Sequence, residues 1–243
     1  MCFSHNTIVE DLVSISGRYP ATINAENPNA CNLKQSVMKN PEQEPSTVPT
    51  QKTGSTIDVR ETVILPNDTA AKEFFRVAMD RLRTVSEWSR TSGNLTAEFQ
   101  LTDRQGNVVN RTVSKGDYIR IDIPGPANPE GSGYDWVEVE EANLASTPDR
   151  DEYSFRVRPV QNPLDSEQDV AHFYSDESTS TFAVVREKNA VTAAVYDRNT
   201  KPNSEARTTA GKVRDALVGA AGIVAFSKAQ WENLVHGILE RDE

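Results

Sequence analysis

Asp135, Glu138, Glu140 and Glu141 crowd one short stretch of the chain. In an extended conformation Glu138 and Glu140 share a face with Trp136. Turned inward, two carboxylates against an aromatic ring in a partly apolar pocket would suit acid–base chemistry. Arg156 and Arg158, spaced in the same way on a neighbouring segment, offer a structural use instead, a cross-strand ladder of ion pairs on a solvated outer face. The outer face is the expected placement. His172 sits in an apolar patch with Phe173 and Tyr174, inside a long polar segment that could form a lid. A loop histidine is more often a surface residue, and that is the expectation here. His5, His172 and His236 lack the spacing of metal ligands, and Cys2 and Cys31 cannot complete a four-ligand site. Cys2 would become an N-terminal nucleophile if Met1 were removed, but nothing else in the chain accompanies it and it reads as incidental. No glycine-rich phosphate loop, nucleophile elbow or paired-cysteine motif occurs. Catalytic residues are therefore left unassigned, and no metal or cofactor is expected.

Whatever chemistry exists must be positioned by the elements around these groups, and the dominant one is C-terminal. From about Ala206 to Glu240 the residues Val213, Leu217, Ala220, Val224, Ser227, Trp231, Leu234 and Ile238 fall alternately four and three apart. This spacing predicts one helix with a single apolar seam, about 50 Å long at about 1.5 Å per residue. Ser227 alone breaks the seam, and its hydroxyl is expected to bond back to the preceding turn. Gly219 and Gly222 interrupt the same helix at a cost of about 1 kcal/mol each relative to alanine. They predict a close approach to a strand, or a bend or cavity mouth.

The middle of the chain supplies strands. Ile57–Leu65 is β-branched and apolar and stops at Pro66-Asn67-Asp68. Asn67 or Asp68 can cap a helix that starts near Thr69, buries Ala71, Phe74, Phe75, Ala78, Leu82 and Val85, and ends near Ser92-Gly93. Alternation then predicts strands over 95–102, 118–123, 134–144 and 153–160, with turns and a Pro/Gly-rich excursion between them. Two more, 181–186 and 190–197, are joined by the short connection Glu187-Lys188-Asn189 and are apolar on both sides, as central strands are. Residues 1–54 contain a short helix candidate, Thr7–Ile15, followed by a segment too poor in large apolar residues to offset the cost of ordering it. The expected organisation is therefore a poorly ordered tail or linker over 1–54 and one domain over 55–243.

Composition excludes several roles. Among 243 residues, 36 acidic against 26 basic side chains give a formal charge of −10, which opposes attraction to nucleic acid or anionic membrane surfaces. No apolar run is long enough to span a bilayer, and the N-terminus lacks the pattern of a secretory signal, so a cytoplasmic protein is the expectation.

Strand, helix, six strands and a long C-terminal helix, in that order, resemble the helix-grip fold of the START-like (SRPBCC) superfamily. That superfamily includes birch-pollen allergen-like proteins, lipid-transfer domains and polyketide cyclases. The resemblance rests on element order over 57–240 and on the amphipathic last helix, not on a motif. It implies an α+β fold in which a curved seven-stranded antiparallel sheet grips the C-terminal helix. It also implies a cavity for a hydrophobic small molecule between the two, lined by Phe99, Ile121, Trp136, Phe155 and Phe182 from the sheet and by Leu217, Val224 and Trp231 from the helix. The alternatives are a cyclase- or hydrolase-type enzyme using the same cavity through Glu138 or His172, and a filled core with a structural role.

Overall fold

The computed structural model describes residues 44–93, 95, 97–123, 131–165, 170–203 and 209–241; for 209–221 and 223 only the backbone is described. Cys2, His5, Cys31, the helix candidate Thr7–Ile15 and the side chain of Leu217 lie outside these residues. The compact unit that contains the described residues runs over Gln43–Glu243. Its elements are β1 (Ser55–Ile64), α1 (Asp68–Arg83), a 3-10 turn (Val85–Glu87), α2 (Trp88–Ser92), β2 (Glu98–Thr102), β3 (Tyr118–Asp122), β4 (Asp135–Ser146), β5 (Arg150–Pro159), β6 (Thr179–Glu187), β7 (Ala190–Thr200) and α3 (Thr209–Leu239).

The seven strands form one antiparallel sheet in the order β1-β7-β6-β5-β4-β3-β2, so only the first strand leaves its place in sequence to close against the last. Every other strand pairs with its neighbour in sequence, β4 with β5 and β6 with β7 through tight turns and β5 with β6 through the long segment 160–178. One face of the sheet carries Val59, Val191, Val195, Phe182, Phe155, Val157, Val139, Ile119 and Phe99, all buried in the main apolar cluster. The helices cover that face, and α3 lies against it through Trp231, Leu234, Val235, Ile238 and Leu239. This is the α+β helix-grip arrangement that element order implied.

Local chemistry sets the helix ends. The Asn67 side chain accepts from the Ala70 amide at 2.9 Å and starts α1. The single five-turn helix expected up to Ser92-Gly93 instead breaks at Thr84, whose backbone leaves helical geometry (φ −95, ψ 66). The break lets Trp88 turn inward. Its ring is 1% exposed, its Nε1 donates to the Leu82 carbonyl at 2.9 Å, and Gly93 closes α2 in the left-handed conformation.

The other face of the sheet is covered locally by residues 44–54, which the sequence placed in the tail. Val48 packs on Ala183, Ala194 and Tyr196. Buried Thr47 donates to Ser154 Oγ at 2.9 Å, and its carbonyl accepts from Arg156 at 2.8 Å. The Asn199 side chain accepts from the amides of Lys52 and Thr53. These contacts explain why β6 and β7 are apolar on both sides.

Gly222 is exposed, and the surroundings of Gly219 lie outside the described residues. The glycine on which helix packing depends is Gly237. A Cβ there would lie 2.5 Å from the Thr91 carbonyl oxygen and 2.6 Å from Ser92 Cα, where α3 crosses α2.

Candidate functional site

Between the apolar face of the sheet and α3 lies a cavity of about 50 Å³. Its walls come from β2 (Phe99), β3 (Ile119, Ile121), β4 (Val137), β5 (Val157) and β6 (Ser180, Phe182), with Trp88 from α2 and Phe226, Ser227, Gln230 and Trp231 from α3. The segment His172-Phe173-Tyr174 closes one side, and half-buried Ile123, Phe173 and Phe226 form the rim.

Aromatic rings make the floor. Phe182 stands at the centre, 4.9 Å from Trp88, 5.2 Å from Phe155 and 5.1 Å from Trp231, the last nearly perpendicular. Phe99 meets Trp88 edge-on at 5.1 Å and Trp231 at 6.3 Å. Such edge-to-face and offset contacts hold the rings in fixed orientations and leave their faces to the space between them.

Of the lining expected from the sequence, Phe99, Ile121, Phe182 and Trp231 come together around the cavity. Phe155 is fully buried beside Phe182, its cross-strand partner on the same sheet face, and does not line the cavity. Val224 is half-buried on the edge of the core. Trp136 corrects the expectation, because alternation in β4 places it on the sheet face opposite Val137 and Val139. There it is buried, with Nε1 donating to the Gly131 carbonyl at 3.2 Å. The contributions of Trp88, Phe226 and Ser180 were not anticipated. A Trp six residues beyond Leu82, out of step with the helical face, was the available sign of the first.

The carboxylates of β4 stay outside the cavity. Glu138 pairs with Arg104 at 3.1 Å on the outer face. Between Val139 and Glu141 the register with β5 slips by one residue, and the bulge hands the extra Glu140 to both Arg156, at 2.9 Å, and Arg158. Arg156 also reaches Glu141 at 3.1 Å. The ladder expected between these glutamates and arginines is present, with Glu138 diverted to Arg104. Burial works against the Glu140 charge, but its two arginine partners outweigh it and its carboxyl lies below the ordinary range.

His172 is buried, contrary to its expected surface position. Its Nδ1 accepts from the Tyr174 amide at 2.9 Å, which places the proton of the neutral ring on Nε2, and its ring stacks 4.4 Å from Phe173. The segment is fastened from below. Asn203 Nδ2 donates to the Val170 and His172 carbonyls at 3.0 Å each, and Asp135 Oδ2 accepts from the Phe173 amide at 3.2 Å. Tyr174 hydroxyl and Ser227 Oγ are 3.2 Å apart, so the polar residue of the α3 seam faces this segment.

One carboxylate stands behind this polar end. Asp197, on the helix-facing side of β7, is fully buried. Its Oδ2 accepts from Trp231 Nε1 at 2.9 Å, Ser180 faces it across the β6–β7 ladder, and its Oδ1 has no hydrogen-bond partner. Burial pushes its carboxyl up to about 6, against the lowering effect of Ser180, Trp231 and Arg198. Burial likewise raises the Tyr174 phenol, helped by the charge on Asp197, so that Tyr174 is a hydrogen-bond donor at any physiological pH. Among the described residues no group of acidic, His or Cys side chains could hold a metal ion. None of the described helices is long and apolar enough to cross a membrane.

No family model matches the chain, and no curated protein is similar to it in sequence. Solved structures resemble it at low identity. The hypothetical protein jhp0584 from Helicobacter pylori is 12% identical with a TM-score of 0.41, over 91% of this chain and 98% of that one. Norcoclaurine synthase from Thalictrum flavum is 9% identical with a TM-score of 0.32, over 80% of this chain and all of that one, which is covered to 100%. Ara h 8.0201 is 10% identical with a TM-score of 0.28, over 72% of this chain and 97% of that one. At these identities and TM-scores the likeness says nothing about a ligand or a reaction.

Proposed function

We propose that the protein binds a hydrophobic small molecule, lipid-like or aromatic, between the sheet and α3. One observation carries the reading, the aromatic-floored cavity at the junction of sheet and helix, with the Tyr174–Ser227 pair at its polar end. A core meant only for packing would close over such a space, because each unfilled volume forfeits dispersion contacts along its lining.

Size sets the conditions. A dry cavity of about 150 Å³ admits benzene, and drug-sized ligands occupy about 300–1,000 Å³. At about 50 Å³ the cavity here takes a few heavy atoms. A larger ligand enters by displacing a side chain, and half-buried Phe226 at the rim is the one whose outward rotation disturbs the core least.

An enzymatic use through Glu138 loses its geometric basis, because Glu138 is on the outer face. The test of binding is native mass spectrometry and organic extraction of the purified full chain, together with displacement of an environment-sensitive apolar dye. A co-purifying species, or dye displacement that Phe226→Trp abolishes, supports the proposal. A protein that arrives empty and takes up no dye overturns it.

A further inference from the structure

Among the described residues the wall of the cavity contains no Lys or Arg, and its ionisable members are His172 and Tyr174. A carboxylate ligand would therefore meet no lysine or arginine among the described residues of the wall. The fixed charge nearest the polar end has the opposite sign. Asp197 lies directly behind the wall formed by two cavity residues, Trp231, which donates to it, and Ser180, its partner across the β6–β7 ladder, and its Oδ1 is buried without a hydrogen-bond partner. Buried acceptors are nearly always satisfied, so an orphaned carboxylate oxygen beside a cavity marks a place where a donor is missing. The neighbouring cation does not supply one. Arg198, next in sequence, points to the other face and spends its guanidinium on Asp58 and on Glu44. Through space Arg198 favours the Asp197 charge and Asp58 opposes it, but neither supplies a donor to Oδ1.

We infer that the cavity, opened by the outward rotation of Phe226, selects a hydrophobic amine in its cationic form, with the ammonium drawn to the Ser180–Trp231–Asp197 end and the apolar body against Phe99 and Ile121. The inference rests on the binding reading above and assigns its ligand class. The aromatic faces of Trp231 and Phe182 add to the preference, since ring quadrupoles attract cations and a desolvated site strengthens the attraction. A carboxyl held near 6 is ionised at pH 7.5, so the charge is present under ordinary conditions.

The experiment compares benzylamine, benzyl alcohol and benzoate, three probes of one ring and similar size, at pH 7.5 with the full chain. Trp231 Nε1–H, one of three indole signals in a proton–nitrogen NMR spectrum, reports occupancy at the site. The expected order is benzylamine at least tenfold tighter than benzyl alcohol, with benzoate weakest. In Asp197→Asn, which keeps an acceptor for the indole, amine and alcohol should bind equally. The wild-type order decides the matter even if that variant does not fold. Alcohol bound as tightly as amine, or benzoate bound tighter than either, overturns the charge assignment while leaving the binding reading in place. Binding of none of the three overturns both.

Discussion

Trp231 and Asp197, on elements 34 residues apart in sequence, are joined by a buried hydrogen bond of 2.9 Å from the indole Nε1 to Oδ2. The bond fastens the C-terminal half of α3 to β7 at the cavity's polar end, and it brings a charge into a space that otherwise lacks one. The folded state raises the Asp197 carboxyl from 3.8 to about 6. Between those values the native protein holds more protons than the unfolded chain. Stability from this group therefore falls as pH rises from about 4 to about 6, and the loss at neutral pH is on the order of 3 kcal/mol. Asp197→Asn removes the ionisation and keeps a carbonyl for the indole. Urea unfolding at pH 7.5 should show the variant more stable by about 1–3 kcal/mol, and the gap should close at pH 4.5. A variant less stable than wild type at both pH values would contradict the buried charge.

Trp231→Phe keeps an aromatic ring against Phe182 and Phe99 but withdraws the donor. Leaving a buried carboxylate oxygen without it should cost about 1.5–3 kcal/mol at pH 7.5. The Asp197 carboxyl should also move further up, since a group that stabilised its charge is gone. A double-mutant cycle with Asp197→Asn, read by urea midpoints, isolates the bond itself, and a coupling indistinguishable from zero would show that the indole contributes packing alone.

At the crossing of α3 and α2 the sign of a glycine substitution depends on position. Gly237→Ala places a methyl group against the Thr91 carbonyl and Ser92 Cα, both backbone, which cannot swing aside. Overpacking of this kind costs about 1–3 kcal/mol. Gly222→Ala, on an exposed helical position, should stabilise by about 0.5–1 kcal/mol through helix propensity. Thermal unfolding of the two variants should move in opposite directions. A Gly237→Ala protein as stable as wild type would mean that α2 yields at no cost.

The contrast between these glycines shows what the sequence made legible. Periodicity revealed α3 and its seam, because Trp231, Leu234 and Ile238 answer to one helical face whatever they meet. It revealed Phe99, Ile121 and Phe182 because clean alternation fixes which way a strand residue points. Trp136 was expected in the cavity from the resemblance, against its own alternation, which sets it beside Glu138 on the outer face, where it is buried all the same. Gly237 and Asp197 were invisible for a common reason. The requirement for a missing Cβ is set by Thr91, and the burial of the carboxylate by Trp231 and Ser180, none of which is near in sequence. Thr84 shows the same limit locally. Nothing in the helical pattern of α1 announces its break, which is decided by the place Trp88 finds among Phe99, Phe155 and Phe182.

Arg186 offers a test of buried charge on the far side of the domain. It is fully buried in β6, and its guanidinium pairs with Asp68 at 2.7 Å and with Asp151 at 2.5 Å, while also donating to the carbonyls of Lys188 and Pro148. It thereby ties the start of α1 to the β4–β5 and β6–β7 turns. Burial opposes the Asp151 charge, but donation from Ser146 and Arg186 outweighs it, and its carboxyl lies below the ordinary range. The sign for Asp151 is thus opposite to that for Asp197. Its contribution is present at neutral pH and is lost as pH falls through the lowered value. Arg186→Met removes the cation from two carboxylates and two carbonyls at once, so it should cost about 3–5 kcal/mol at pH 7.5. Much of that cost comes from leaving the half-buried Asp151 charge with Ser146 as its remaining donor, so the double variant Arg186→Met with Asp151→Asn should recover part of it. Urea unfolding of the single and double variants checks this, and a double variant no more stable than the single would assign the whole effect to lost packing of the arginine stem.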